Sequence, residues 1–489
     1  MFAGIDLGTS GLKAILLDRS GNVAASVTVP LEVARPRPLW SEQNPQDWWQ
    51  ALESAMDALV QEAARVGIQP VAIEAIGLTG QMHGATLLDA QGAIIRPAIL
   101  WNDGRSAAEC TALEALVPRS REITGNLMMP GFTAPKLLWV ARHEPENFAR
   151  VAKVLLPKDY LRYRLTGDCA TDLSDAAGTL WLDVAKRDWS DELLAATGLT
   201  RQHMPTLYEG NQITGWLKPE LAFRWGMQSV PVVAGASDNA AGAIGAGMIV
   251  PGQSMLSLGT SGVCFAVTSG FLANPARAVH SFCHALPHTW HLMSVMLSAA
   301  SCLDFTASLT GYADVAAMLA DAEAAGEKDG LPYFLPYLTG ERTPHNNPAA
   351  KGVFFGLSAS CTRVDLANAT LEGVGLGLLD GIDALESTGL ALGEITVIGG
   401  GSRSAYWLQM LADIFGRPLC QREGGEVGPA LGAARLAHLA LEPNQPVGTI
   451  CPVPPLKQIF YPVAERHAYF RDARRPTFQA VYRQLQSLF

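Results

Sequence analysis

Leu7-Gly-Thr-Ser-Gly11 returns in the second half of the chain as Leu258-Gly-Thr-Ser-Gly262, with an apolar strand pattern on both sides of each copy. Five matching residues arise by chance often enough, but a shared strand-turn-strand setting is not something chance supplies. The repeat therefore predicts a duplicated domain. With 489 residues, two domains of roughly 200 to 250 residues are expected, one over 1–246 and one over 247–489. The turn itself suits a phosphate. Glycines let the backbone approach closely, successive N–H groups line an anion-binding concavity, and the Thr and Ser hydroxyls add hydrogen bonds. A plain hairpin connection is the competing reading for one copy, and recurrence favours the phosphate.

Outward from the first copy, Ala3 to Leu17 alternates apolar residues, Asp18-Arg-Ser-Gly21 marks a turn, and Val23 to Val29 continues the meander. A second hairpin of the same grammar is expected at Ala85–Leu88 and Ala93–Ile95 around Asp89-Ala-Gln-Gly92. Asn44-Pro45 followed by Asp47 starts a helix, with Trp48, Leu52, Ala55, Met56 and Leu59 on one face and a strand at Ala75–Thr79 after it. Strands, helix and strand in that order define an α/β architecture with a central cleft between two similar halves.

Composition removes several function classes. Hydrophobic residues make up 48% and charged residues 17%, which suits an ordered globular enzyme. The formal charge of −10 is spread along the chain without a basic block for nucleic acid. Arg466, Arg471, Arg474, Arg475 and Arg483 are expected on the solvated face of terminal helices. Eight cysteines without a CxxC spacing indicate reduced thiols. Asp6 interrupts the apolar start and no stretch reaches membrane-spanning length, so a cytoplasmic protein without a membrane partner is expected.

GxxxxGK[ST] and a clean GxGxxG are absent, which excludes Walker-type and Rossmann phosphate sites. Asp6, just before the first turn, is placed to hold Mg²⁺ through its water shell, or is an inward strand residue satisfied by backbone. Asp238 stands where the strand Pro231–Gly235 runs into a helix of small residues at Ala240–Gly247. A carboxylate there can accept a hydroxyl proton during phosphoryl transfer, but Ser, Asp and Asn also cap helices, and the segment alone leaves both open. Ile395–Ile398 followed by Gly399-Gly-Gly-Ser402 is a strand entering a glycine loop and then a helix near Ser404, which fits nucleotide binding. Gly424-Gly425 to Gly432 is a candidate second wall of that pocket. His280, His284, His288 and His291 are close in sequence, but Pro287 breaks any helix that would align them and no second cysteine accompanies Cys283, so they read as structural rather than zinc-binding.

These residues together resemble the FGGY carbohydrate kinases, a branch of the actin-like, hexokinase-like (ribonuclease H-like) ATPase fold. The resemblance rests on GIDLGTSG from Gly4, Gly131-Phe-Thr-Ala-Pro-Lys136 with Trp139, SDNAAGA from Ser237, SLGTSG from Ser257, Gly352-Val-Phe-Phe-Gly-Leu357 with Asp365 to Glu372, and GGG from Gly399. It implies two duplicated domains and an ATP- and Mg²⁺-dependent sugar kinase. Asp238 would be the base and Asp6 would lie near Mg²⁺. Gly8, Thr9, Ser10, Gly259, Thr260 and Ser261 would meet phosphates, and Gly400, Gly401 and Ser402 the nucleotide. Gln81-Met-His-Gly84, Leu100-Trp-Asn-Asp-Gly-Arg105 and Gly340-Glu-Arg-Thr-Pro-His345 are similar to the branch that phosphorylates D-xylulose. That puts Met82, His83, Trp101, Asp238 and Asn239 at the sugar; read without it, Met82 and His83 are a core Met and a structural His. Ser237 departs from the glycine expected before the base. A kinase for another ketose or polyol (ribulose, glycerol, gluconate) is the nearest alternative. An actin-like ATPase acting on no sugar is the alternative of a different class. A second copy of the chain is the candidate protein partner.

Overall fold

The computed structural model describes residues 1–326, 328–423 and 428–489. The alternation around the first GTSG turn folds as an antiparallel pair, β1 (Phe2–Leu7) and β2 (Gly11–Leu17), and β3 (Val23–Pro30) pairs antiparallel with β2. Helix α1 (Pro45–Arg65) begins as its sequence predicts: the Asn44 side chain accepts the Gln46 amide and Pro45 opens the first turn. Its apolar face, Trp48, Leu52, Ala55, Met56 and Leu59, is buried. β4 (Ala75–Gly80) then returns parallel to β1. β5 (Ile213–Trp216) and β6 (Pro231–Val233) complete the order β5-β6-β4-β1-β2-β3, and the short strand Ala236–Ser237 also pairs with β4.

The second half repeats this sheet. β7 (Ser254–Leu258), β8 (Gly262–Thr268), β9 (His280–Cys283), β10 (Trp290–Met296), β11 (Ile395–Ile398), β12 (Leu419–Arg422) and β13 (Leu456–Phe460) lie in the order β9-β10-β8-β7-β11-β12-β13. From β3 to β5 in one sheet and from β10 to β13 in the other, the pairings run antiparallel, antiparallel, parallel, parallel, antiparallel. The five-residue repeat thus marks equivalent hairpins of two equivalent sheets.

Two helices pack on the first sheet and on each other with almost no space between them. Helix α2 (Asp238–Gly245) packs on helix α4 (Pro429–Leu441), which also lies on β1 and β4. A Cβ on Gly77 would stand 1.9 Å from the Ala433 carbonyl, and one on Gly432 would stand 1.8 Å from that of Ala241. Glycine is required at both by backbone approach. Arg435 adds hydrogen bonds to the Ile244 and Gly245 carbonyls at 3.0 and 2.9 Å. Helix α4 falls in the half expected to form the second domain, yet it covers the face of the first sheet.

Two expectations are corrected. Ala93–Ile95 does not form a hairpin strand: the Asp89–Gly92 turn is present, but only a single bridge joins Leu88 to Ile94, and Thr86–Leu88 pairs instead with Lys153–Leu155. Three residues could not outcompete an apolar strand brought from elsewhere. Arg474 and Arg475 are not on a solvated face. Arg474 is buried against Glu372 and the Leu331 and Pro332 carbonyls, while Arg475 meets Asp380 and Asp383, so both pin the C-terminal helix to α3 (Arg363–Glu386). Among the described residues no helix is long and apolar enough to cross a membrane.

Candidate functional site

Register brings the site together. Asp6 of β1 lies opposite Thr79 of β4, and Ala236 and Ser237 lie opposite Thr79 and Gly80. The segments that leave these parallel strand ends, Gln81–Gly84 and Asp238–Asn239, therefore emerge side by side. Ser237 has φ −57°, ordinary for any residue, so serine is accommodated where glycine was expected.

Asp238 opens α2 without capping it. Its Oδ1 accepts the Asn239 amide at 2.7 Å and the Asn239 Nδ2–H at 3.0 Å, leaving Oδ2 for the cavity. Burial pushes its pKa up to about 6, against those two hydrogen bonds. Asp6 is pushed up to about 7 by burial and by the Asp238 charge, with Lys13 opposing. A carboxyl raised both by burial and by a neighbouring carboxylate marks a place short of positive charge. Among the described residues no group of three or more His, Cys, Asp or Glu could hold a metal alone. The donor set thus fits Mg²⁺ that keeps waters and phosphate oxygens as most of its ligands.

A cavity of about 260 Å³ opens beside Asp238, with Met82, His83, Trp101 and Asn239 in its wall. His83 Nδ1 lies 2.6 Å from the Gly178 carbonyl, so it carries the proton, and Nε2 remains an acceptor. Burial, with Lys136 and Arg342 nearby, lowers its pKa to about 3, so the ring is neutral. The Trp101 indole N–H donates to Thr9 Oγ1 at 3.0 Å, and that hydroxyl donates to Gln81 Oε1 at 2.9 Å. The Thr9 side chain is therefore engaged in holding Trp101, and Gly8, Thr9 and Ser10 do not line this cavity.

A second cavity of about 550 Å³ has Gly259, Thr260, Gly400, Gly401 and Trp407 in its wall. Ser261 faces the first cavity instead. The second GTSG turn is thus the partition between the two spaces. A Cβ on Gly400 would meet nothing within 4 Å, which leaves an open cradle for a flat or anionic group. Ser402 turns away, its hydroxyl donating to the Gly399 carbonyl at 2.7 Å, while Ser404 caps the following helix through the Trp407 amide. The Gly424-Gly425 wall lies outside the described residues.

Sequence reasoning missed the residues that close the first cavity: Phe132, His280, Phe282 and Arg342. Phe132 and Arg342 lie inside segments singled out for other reasons, whereas His280 was read as structural only. Also missed was the support beneath Asp238. The Ser237 amide donates to Ser174 Oγ at 3.0 Å, and that hydroxyl donates to Asp172 Oδ1. Asp172 in turn faces Lys158 Nζ at 2.7 Å, and Asp159 and Asp175 lie 2.6 and 3.3 Å from the same ammonium. All four side chains are fully buried.

Residues 1–245 match the N-terminal domain, and residues 254–441 the C-terminal domain, of the FGGY family of carbohydrate kinases. The chain is 62% identical over 488 residues to a xylulose kinase of Escherichia coli, covering 100% of both chains. A crystal structure of a xyloylose kinase from Brucella ovis superposes with a TM-score of 0.95 at 46% identity, covering 100% of both chains. That of a xylulose kinase from Rhodospirillum rubrum gives 0.92 at 28% identity, covering 100% of this chain and 99% of the other.

Proposed function

The chain belongs to the FGGY family of carbohydrate kinases, and from that membership we propose that it transfers the γ-phosphoryl group of ATP to the terminal hydroxyl of D-xylulose. The products are D-xylulose 5-phosphate and ADP. One observation carries this reading: the 259–261 turn is a wall between the two cavities, with Gly259 and Thr260 lining the one that bears Gly400 and Ser261 lining the one that bears Asp238. A sugar in one and a nucleotide in the other meet at that wall.

Asp238 accepts the proton of the hydroxyl as its oxygen bonds to phosphorus and the bond to the ADP oxygen breaks. A carboxylate with a pKa near 6 is ionised at neutral pH and still basic enough to help. The 259–262 amides receive the charge on the transferred group. Asp6, through water, would hold Mg²⁺, which balances phosphate charge when bound. His83 Nε2 accepts from a sugar hydroxyl and Met82 packs the carbon chain. Closure of the two halves, over 1–246 and 247–489, excludes water. All eight cysteines are free, which supports a reducing, cytoplasmic setting.

The test is ADP release by the purified chain with Mg-ATP and D-xylulose, L-ribulose, D-ribulose, glycerol, gluconate or no sugar. Turnover that depends on D-xylulose above the others is the expected result. Preference for another sugar would move the substrate within the family, and a rate indifferent to every sugar would end the kinase reading.

The buried support of Ser237 makes a further prediction. Ser174→Ala removes the acceptor of the Ser237 amide and should lower kcat by roughly tenfold, the size of one lost hydrogen bond, with KM for the sugar nearly unchanged. Ser174→Thr keeps the hydroxyl and should restore most of the rate. An unchanged kcat in the alanine variant would show that Asp238 needs no such support.

A further inference from the structure

Arg342 lines the Asp238 cavity from the second half of the chain, and the Glu341 charge beside it opposes the cost of its burial. Among the described residues its side chain makes no ion pair. Glu341, next in the chain, spends Oε1 on the amides of Leu297 and Arg342 at 3.0 and 2.7 Å. Among the described residues the one side-chain hydrogen bond of Arg342 runs from Nη1 to His280 Nε2 at 3.4 Å.

The direction of that bond follows from the residue behind it. Asn126 Nδ2 donates to the Thr124 and Ser281 carbonyls, both at 2.8 Å, which turns Oδ1 toward His280 Nδ1 at 3.2 Å. Oδ1 only accepts, so His280 carries its proton on Nδ1 and offers a lone pair at Nε2 to Arg342. Burial and the Arg342 charge keep the ring neutral. Asn126 is wholly buried and His280 is 3% exposed, so the relay is rigid. The remaining N–H groups of this cavity-lining guanidinium have no hydrogen-bond partner among the described residues.

We infer that Arg342 recognises the keto oxygen of the sugar, and so makes the site selective for an open-chain ketose over the corresponding alditol; this rests on the functional reading above. A guanidinium is a donor only, and a carbonyl is an acceptor only. A hydroxyl at the same place would accept equally well but bring a proton of its own. The wall of Phe132, Phe282, Met293 and Val295 offers that proton no side-chain oxygen or nitrogen, His280 Nε2 is already taken, and His83 Nε2 serves another sugar hydroxyl in the reading above. A stranded O–H in such a place is what allows a polar site to reject an analogue. The position agrees. The Arg342 charge lowers the pKa of both His83 and His280, so the guanidinium stands beside the ring that faces the sugar.

The test is calorimetric titration of the full chain and of Arg342→Met with D-xylulose and with xylitol, which has a hydroxyl at C2. Wild type should bind D-xylulose more tightly. Arg342→Met should lose about 10- to 100-fold for D-xylulose and no more than about threefold for xylitol. If that variant does not fold, Arg342→Lys keeps the charge but not the fork, and should lose part of the same selectivity. Equal loss for both sugars, or a kcat loss at constant sugar affinity, overturns the assignment alone. A wild-type chain that binds neither sugar overturns the functional reading and the assignment with it.

Discussion

Asp238→Asn is expected to lower kcat by about 10³-fold, within the range that a positioned general base contributes, while leaving the fold intact. The substitution keeps the shape at the start of α2 and the contact with Asn239, and removes only the ability to take a proton. The pH dependence separates this from a structural role. Asp238 works ionised, and its pKa in the free protein is raised to about 6. The wild-type kcat/KM should therefore rise with pH below about 6 and level off above it, and the residual activity of the variant should lack that limb. Stability should move the other way. A carboxyl whose folded pKa is raised binds more protons folded than unfolded, so it favours folding at low pH and loses that contribution as pH rises through about 6. At pH 8 the wild type bears the cost of a buried charge that asparagine does not. The variant should melt no lower than wild type at pH 8. A variant that is inactive because it has unfolded would sink the assignment of Asp238 as base.

Much of this site is legible in the sequence because it is local. The GTSG turns, the Asp6 position and the strand-to-helix placement of Asp238 each lie within a few residues of a glycine or a strand end, where chain geometry leaves few options. The meeting of Gln81–Gly84 with Asp238 is legible only through resemblance. Physically it follows from the register of β4 with Ala236–Ser237, which no local pattern encodes. Residues that act across the two halves are harder still. Arg342 becomes significant only when His280 and Asn126 are known to stand behind it, and those three come from segments far apart in sequence. Thr9 shows the converse. Its hydroxyl looks free in a GTSG turn, yet tertiary contacts commit it to Trp101 and Gln81. Arg474 and Arg475 read as solvated because their spacing suits a helix surface, and only the packing of that helix on α3 buries them.

Lys158→Met is expected to have the largest effect on stability, and its pH dependence identifies the cause. The ammonium stands among three carboxyls, with Arg162 also reaching Asp159 at 3.4 Å. Burial raises the Asp175 pKa well above the usual carboxylate range, and the Lys158 ammonium opposes that shift. Methionine fills the volume but leaves the Asp172 charge uncompensated, a change that costs about 3–5 kcal/mol when one partner of a buried pair is removed. In a chain of 489 residues that is a drop in Tm of about 3–5 °C. Without the ammonium, keeping charge on the surrounding carboxyls becomes costlier, most plainly on Asp175, whose upward shift Lys158 opposes. Groups raised in the folded state contribute stability at low pH and lose it as pH climbs through the folded pKa. The deficit of the variant relative to wild type should therefore be smallest near pH 5 and grow toward pH 8. Melting of both proteins across that window decides the matter: a deficit that stays constant would mean that Lys158 serves by packing rather than by charge. Because Asp172 also orients Ser174 beneath the Ser237 amide, the folded fraction of the variant should turn over more slowly even at pH 5, tying the buried charge balance to the placement of the base.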